Sequence, residues 1–330
     1  MANPISSFVH RLVVAVVLVA VLVVGGIAPT ASAGRNRPKD PTTTSPATMS
    51  MVLTRVMDPA RTVVTNSTGT WVATLTDGSR TVALAGPARI FTEPGVDATI
   101  TSTTWVRLLA TPFAGKVDQA WLAAATSDRS PDALATSLEY VAGAATTTTD
   151  AGLVISSDAS YGPMQPDGTR QEGSDWNDYQ GVNATYAGIV DRPEPDQIGS
   201  LDCSGFLRML RGIRHNIALT LNPDGVALPR RAVQMAASAP GILVVQNQGT
   251  QVTDFRRLQP GDLVFFDAAS DDGTDIDHAG MYLGVDNGGR HRFVSSRKSI
   301  DGPTMGDYRG RSVLDGTGLY ATAFRAVRRL

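Results

Sequence analysis

The chain has 330 residues, enough for one large domain or two modest ones, and 42% of them are hydrophobic, as is ordinary for a globular protein. Its 29 basic and 31 acidic side chains leave a formal net charge of −2. Because no basic run or stripe stands out, the sequence argues against nucleic acid as a partner.

The N-terminus has the layout of a secretory signal peptide. Arg11 precedes an apolar stretch from Leu12 to Val24, and the small-residue tripeptide Ala31-Ser32-Ala33 follows. A membrane anchor is the alternative, because the apolar run, counted generously, reaches about 17 residues, the lower limit for crossing a bilayer. The tripeptide favours cleavage, so we predict that residues 1–33 are removed. The mature protein is then expected to be secreted or held in the cell envelope, without a membrane span.

A linker and a strand-rich stretch come next. Residues 34–50 are rich in Pro, Thr, Ser and charge, which predicts a flexible linker. Strand-like runs at 70–75 and 80–84 flank a turn containing Asp77-Gly78, and Asp-Gly between such runs predicts a β-hairpin. Another strand is predicted over 98–109.

Two helices are predicted after these strands, over 116–126 and 130–142. Ser130 is the predicted N-cap of the second helix, because proline follows it at the first helical position. Residues 51–149 are therefore predicted to form a small α+β accessory domain, in which we identify no chemistry.

Residues 150–330 are predicted to form a second domain, after a linker or loop at 146–149. Its first part, residues 150–200, is rich in Gly, Asp, Asn and Pro and has little periodicity. So long an irregular stretch inside a compact domain is more often functional than idle.

The sequence contains a single cysteine, Cys203. Exported proteins that keep cysteines usually pair them, whereas this thiol has no partner within the chain. A lone thiol retained in an exported protein indicates a chemical role, and a buried structural cysteine is the alternative.

A helix is predicted to begin near Cys203, because apolar residues at 206, 207, 210 and 213 keep helical spacing. Asp202 is a favoured N-cap type, so the thiol is expected in the first turn, where the helix dipole lowers its pKa. The cap geometry is expected to turn the Asp202 carboxylate towards the helix amides and away from the sulfur.

A nucleophilic thiol needs a base, normally an imidazole within hydrogen-bond reach. His10 leaves with the signal peptide, and His215 ends the Cys203 helix, where histidine commonly satisfies the last carbonyls. His278 and His291 remain as candidates.

Both remaining histidines lie on predicted strands. His278 begins the apolar run 278–285, which follows another buried strand at 263–266. Small residues after His278 are expected to leave room beside the imidazole for sulfur and substrate. His291 lies on a third run, where strand alternation places Phe293 and Ser295 on its face.

Three motifs together resemble the NlpC-type family of bacterial cell-wall cysteine peptidases. They are LDCSGF at 201–206, PGDLVFF at 260–266 and DHAGMYLG at 277–284. The resemblance covers roughly residues 161–330, about half of the chain. It implies a papain-like α+β fold, in which a helix bearing the nucleophile Cys203 packs on an antiparallel sheet bearing the base His278. It also implies cleavage of peptidoglycan stem peptides, usually between D-glutamate and the diamino acid.

The chain departs from the family pattern at the third catalytic position. Family members usually carry a polar residue there, often histidine, which orients the imidazole. Alignment of the third run puts Ser295 at this position, and His291 is the alternative if the strand is shifted. The resemblance also assigns Tyr161 to the wall of the active site, and the motif residues Asp202 and Ser204 are expected beside the substrate.

No metal or cofactor is predicted. The acidic segment 271–277 lacks the spacing and the distal glutamate of a calcium loop, so a solvated turn is favoured. The mature chain is predicted to be a monomeric hydrolase of stem peptides. Two alternatives stay open: a catalytically inactive wall-binding or scaffolding protein, which the Ser295 departure motivates, and an acyl transferase on the same fold.

Overall fold

The computed structural model describes residues 51–269 and 273–330, which all lie in one compact unit spanning residues 49–330. The predicted signal peptide and linker lie outside the described residues, as do Asp271 and Asp272 of the acidic segment.

The first part of the unit is a five-stranded antiparallel sheet in which each strand pairs with the next along the chain. The strands are β1 (Met51–Val56), β2 (Arg61–Asn66), β3 (Trp71–Thr76), β4 (Thr81–Phe91) and β5 (Ile100–Leu108). The predicted hairpin is confirmed, because Leu75 of β3 pairs with Val82 of β4. Gly78 adopts φ 78° in the turn, a conformation that favours glycine.

Two short helices follow the sheet, α1 (Gln119–Ser127) and α2 (Ala133–Ser137), and a 3₁₀ turn at Leu138–Tyr140 extends the second. The predicted cap at Ser130 is wrong. Asp132 caps α2 instead, and its Oδ1 accepts from the backbone of Ala135 at 3.0 Å. Its other oxygen accepts from the Val106 backbone of β5 and from Arg89, so tertiary contacts fix the start of the helix.

Short regular pieces interrupt the stretch between residues 146 and 200. They are β6 (Thr147–Thr148), β7 (Val154–Ser156), α3 (Trp176–Gln180), β8 (Ala184–Tyr186), β9 (Ile189–Asp191) and a 3₁₀ turn at Pro195–Gln197. The segment 146–149, a predicted linker or loop, contains β6, which pairs with β7.

The last part of the chain is a six-stranded antiparallel sheet with helices around it. Helix α4 (Cys203–Leu207) continues as a π-helix over Arg208–Arg214, and α5 (Ala232–Ser238) and α6 (Leu319–Ala323) are shorter elements beside the sheet. The strands are β10 (Ile242–Val245), β11 (Leu263–Phe266), β12 (His278–Val285), β13 (His291–Arg297), β14 (Gly302–Thr304) and β15 (Phe324–Arg329). Their order is β10-β15-β11-β12-β13-β14, and a 3₁₀ turn at Lys298–Ile300 links β13 to β14.

The two faces of this sheet carry different clusters of apolar side chains. Phe206 and Leu207 of α4 pack on one face, against Ala279 and Met281 of β12. The other face is aromatic, and its cluster includes Phe266, Tyr282, Phe293, Tyr320 and Phe324. The predicted fold class is thereby confirmed: the cysteine-bearing helix packs on an antiparallel sheet, and a sheet-containing region precedes it.

The two sheets contact each other directly. Arg329 of β15 donates to the Thr76 hydroxyl of β3 at 2.8 Å. The π-helix also contacts the first sheet, because its Arg211 donates to the Thr81 hydroxyl of β4 at 2.6 Å. The division of the chain into domains near residue 149 stays a prediction. Among the helices of residues 51–269 and 273–330, none has the length and apolarity that a membrane crossing requires.

Candidate active site

An open cleft of about 880 Å³ brings together side chains from distant parts of the chain. Five of the residues predicted for the site line this cleft: Tyr161, Asp202, Cys203, Ser204 and His278. Ser295, the sixth, is buried behind His278.

Cys203 is the first residue of α4, and Asp202 is its N-cap, as predicted. The Asp202 Oδ1 accepts from the Gly205 backbone at 2.7 Å. The Cys203 Sγ lies 3.9 Å from the carbonyl oxygen of Asp277, just before β12. The sequence therefore places the thiol correctly at the start of a helix, and the sheet fixes its surroundings.

The expected lowering of the thiol pKa does not occur. Burial raises the pKa of Cys203, and the charge of Asp202 raises it further, although the Ala279 backbone amide lowers it. Desolvation disfavours the thiolate more strongly than the helix start favours it. The cap bond turns one carboxylate oxygen towards the amides but does not remove its charge from the vicinity of the sulfur.

Asp202 and Ser204 are held by an arginine that the sequence analysis did not identify. Arg230 donates to Asp202 Oδ2 at 2.7 Å and to Ser204 Oγ at 2.7 Å. Burial opposes the Asp202 charge, but Arg230 and the backbone amides hold the pKa of this carboxyl below its ordinary value. Nothing in the local Pro-Arg-Arg sequence signals this role, because the partners are 28 residues apart.

A second buried pair continues this network. Arg208, in the π-helix after α4, donates to Asp175 Oδ2 at 2.9 Å, and both side chains are buried. Arg230 also lies 3.6 Å from Asp175. Two arginines and two carboxylates therefore tie α4 to the N-cap of α3.

His278 is the first residue of β12, opposite Phe266 of β11. Its Nε2 lies 3.0 Å from the Ser295 Oγ. Burial, together with the charge of Arg297, lowers the pKa of His278 to about 3. The imidazole is therefore neutral at neutral pH, and it faces a neutral hydroxyl.

The small residue Gly280 has a different role from the expected one. A Cβ there would lie 2.7 Å from the Val294 carbonyl oxygen and 2.9 Å from the Phe293 ring, both on β13. Close packing of neighbouring strands, rather than room for substrate, requires glycine at this position.

The other histidines make contacts away from the cleft lining. His291 Nδ1 lies 2.7 Å from the Tyr282 hydroxyl, and its ring stacks on Phe255 at 4.4 Å. His291 contacts Tyr282 and Ser295 contacts His278, and both partners lie on β12. This agrees with the prediction that His291 and Ser295 lie on the same face of their strand. His215 Nε2 lies 2.9 Å from the Thr136 hydroxyl, a different partner from the helix carbonyls we expected.

Tyr161 belongs to the irregular stretch, part of which walls the cleft. Its hydroxyl donates to Glu172 Oε1 at 3.5 Å, and Glu172 pairs with Lys298 at 2.6 Å. Glu172 and Gly173 line the cleft beside Tyr161. Burial raises the pKa of Tyr161, so its phenol stays protonated.

The arrangement suits nucleophilic chemistry by a buried thiol with a neutral imidazole nearby. Within residues 51–269 and 273–330, no group of three or more His, Cys, Asp or Glu side chains is placed to hold a metal ion.

The fold and the cleft define the class of the C-terminal half, an α+β domain with a lone cysteine at a helix start beside a histidine-bearing sheet. Residues 181–314 match the model of the NlpC/P60 family, which confirms the resemblance found in the sequence motifs. This family consists generally of cell-wall peptidases, and its members are typically secreted or associated with the cell envelope. Comparison with curated proteins gives no match.

Solved structures of the same family are distantly similar to the chain. A lipoprotein-like NLP/P60 protein from Staphylococcus aureus is 21% identical over 47% of this chain and 38% of its own, with a TM-score of 0.25. NlpC2 from Trichomonas vaginalis is 15% identical over 82% of this chain and 80% of its own, with a TM-score of 0.26. An NlpC/P60 family protein from Bacillus cereus is 16% identical over 85% of this chain and 80% of its own, with a TM-score of 0.26.

Proposed function

We propose that the protein is a secreted, monomeric cysteine endopeptidase that hydrolyses peptidoglycan stem peptides, at the bond between D-glutamate and the diamino acid. The observation that carries the proposal is that Cys203 and His278 line one cleft in an NlpC/P60 domain. Ser295 is the proposed third residue, because its hydroxyl contacts the imidazole at 3.0 Å.

The first half of the reaction forms an acyl-enzyme. The Ser295 hydroxyl is hydrogen-bonded to Nε2 of His278, which leaves Nδ1 as the other ring nitrogen. Nδ1 accepts the thiol proton as Cys203 Sγ attacks the peptide carbonyl. The imidazolium then protonates the leaving amine, the C–N bond breaks and a thioester remains. Because the resting thiol and imidazole are both neutral, the proton moves during the attack and no ion pair precedes it.

The second half releases the acid product. Neutral His278 takes a proton from water, whose oxygen attacks the thioester, and the thiol leaves as it regains a proton. The oxyanion of both tetrahedral intermediates lies within reach of the Cys203 backbone N–H, at the first turn of α4. Tyr161, Asp202 and Ser204 are the proposed substrate-side walls of the cleft.

The proposal is tested by replacing the nucleophile and the base. Cys203→Ala should lower stem-peptide hydrolysis by at least about 10³-fold, because no other group can form the thioester. The measurement is mass spectrometry of muropeptide fragments, with circular dichroism to show that the variant is folded. His278→Gln should be similarly inactive, and His291→Gln is the matched control that keeps activity. Hydrolysis by Cys203→Ala would refute the assignment.

A wall-binding protein without activity is the second candidate, and the neutral Ser295 beside His278 is the observation that favours it. It predicts that the wild-type protein sediments with peptidoglycan and releases no fragment. An acyl transferase differs in its product, because a supplied amine would appear in the fragments as a new amide. Secretion is tested separately by N-terminal sequencing of the exported protein, which should begin at Gly34.

A further inference from the structure

Tyr320, which the sequence analysis did not single out, packs against the imidazole of His278. It lies in α6, lines the cleft with Cys203 and is only 7% exposed. The centroids of the Tyr320 and His278 rings are 5.0 Å apart, with an angle of 33° between the ring planes. The Phe266 ring is also near the imidazole, with a centroid distance of 5.8 Å.

A buried arginine packs against the ring of Tyr320. The Arg297 guanidinium carbon lies 5.4 Å from the centroid of the Tyr320 ring. Arg297 is only 1% exposed and also donates to the carbonyls of Gly306 and Gly310. The Tyr320 ring therefore packs against a guanidinium that is itself fixed by backbone carbonyls.

Close packing leaves this ring little freedom. A Cβ at Gly310 would lie 3.2 Å from Tyr320 Cε2 and 3.2 Å from Arg297 Nη1. The segment after β14 thus presses against the tyrosine and the arginine together. The Tyr320 ring is therefore a rigid surface against which the His278 imidazole packs.

We propose that Tyr320 is a positioning residue for His278: its ring fixes the plane of the imidazole, and Ser295 fixes its Nε2. One neutral hydrogen bond leaves an imidazole free to rock about the bonded atom, whereas contact with a fixed ring restrains that motion. In the proposed mechanism, this restraint keeps Nδ1 available to accept the proton of Cys203. The inference rests on the proposed function, in which His278 is the base.

The test compares two substitutions of Tyr320 with one of Tyr282. Tyr320→Leu removes the ring, and kcat for stem-peptide hydrolysis should fall about 10- to 100-fold with KM within about twofold, because misplacing a catalytic group by about 1 Å costs this much. Tyr320→Phe keeps the ring and should retain kcat within about threefold. Tyr282→Leu is the matched control, because Tyr282 is buried in the same aromatic cluster and its hydroxyl contacts His291, away from the cleft. It should lose stability but keep kcat.

A second measurement does not depend on peptidase activity. In ¹⁵N spectra of the imidazoles, the His278 signals should shift or broaden in Tyr320→Leu and stay unchanged in Tyr282→Leu. If Tyr320→Leu does not fold, Tyr320→Met, which fills similar space without a ring, carries the same expectations.

The outcomes separate the two proposals. Wild-type kcat in folded Tyr320→Leu, or unchanged His278 signals, would overturn the positioning role and leave the peptidase intact. A wild-type protein without hydrolysis would refute the proposed function, and the His278 signals would then decide the positioning role alone.

Discussion

The two sides of the cleft are built from different interactions. On the cysteine side, charged groups fix α4: Asp202 pairs with Arg230, and Asp175 pairs with Arg208. On the histidine side, a neutral hydroxyl and aromatic rings surround the imidazole. The two sides of one reaction centre are therefore held by ion pairs and by packing, respectively.

The difference has an electrostatic consequence. Arg230 offsets part of the Asp202 charge, and the carboxylate still raises the pKa of the Cys203 thiol. A carboxylate beside His278 would stabilise the imidazolium, whereas Ser295 does not. Burial of the imidazole and the charge of Arg297 therefore keep His278 neutral, the form that can accept a proton.

The largest effect that should distinguish the two sides is a loss of stability in acid. The pKa of His278 falls from 6.5 to about 3 on folding, so the unfolded chain binds the proton more readily between these values. The free energy of unfolding should therefore drop by about 4 kcal/mol from this group as the pH falls from 6.5 to 3. The pKa of Asp202 is also lowered, so its contribution is lost only at pH values below the ordinary carboxyl range.

Urea unfolding at stepped pH measures this loss. His278→Gln should flatten the dependence between pH 6.5 and 3, and the remaining slope should include His215, whose pKa burial also lowers to about 3. The same slope in His278→Gln and wild type would show that the imidazole is not buried as a neutral group.

A smaller effect is expected on the cysteine side. Asp202→Ala removes the N-cap of α4 and leaves the Arg230 charge without its closest carboxylate. The free energy of unfolding should fall by about 3 kcal/mol, of which about 1 comes from the cap. Asp254→Ala is the control, because its pair with Arg256 is exposed and should contribute nothing measurable. A loss below about 1 kcal/mol for Asp202→Ala would show that Arg230 finds other partners.

The smallest effect is expected for the neutral contact on the histidine side. Ser295→Ala should lower the free energy of unfolding by about 1 kcal/mol and kcat by about tenfold, since Nε2 loses its partner. Ser137→Ala removes a buried hydroxyl that donates to a helix carbonyl in the accessory region, and it should cost similar stability without changing kcat. Equal kcat values for the two variants would remove Ser295 from the proposed catalytic set.

Local patterns in the sequence predicted much of the architecture. The Asp-Gly hairpin, the helix at Cys203 with its Asp202 cap and the strand at His278 all depend on contacts between residues close in the chain. The prediction of the α2 N-cap was wrong, because residues distant in the chain determine where this helix starts. Asp132 rather than Ser130 begins α2, because Arg89 and β5 hold its carboxylate.

The sequence by itself determined that a lone thiol begins a helix and that a histidine begins a buried strand, because periodicity and capping are local. Only the tertiary structure decided what surrounds them: Arg230 beside Asp202, and Ser295 and Tyr320 around His278. It also reversed the expected direction of the thiol pKa. The physical reason is that desolvation depends on the segments that cover a group, and those segments are distant in the chain.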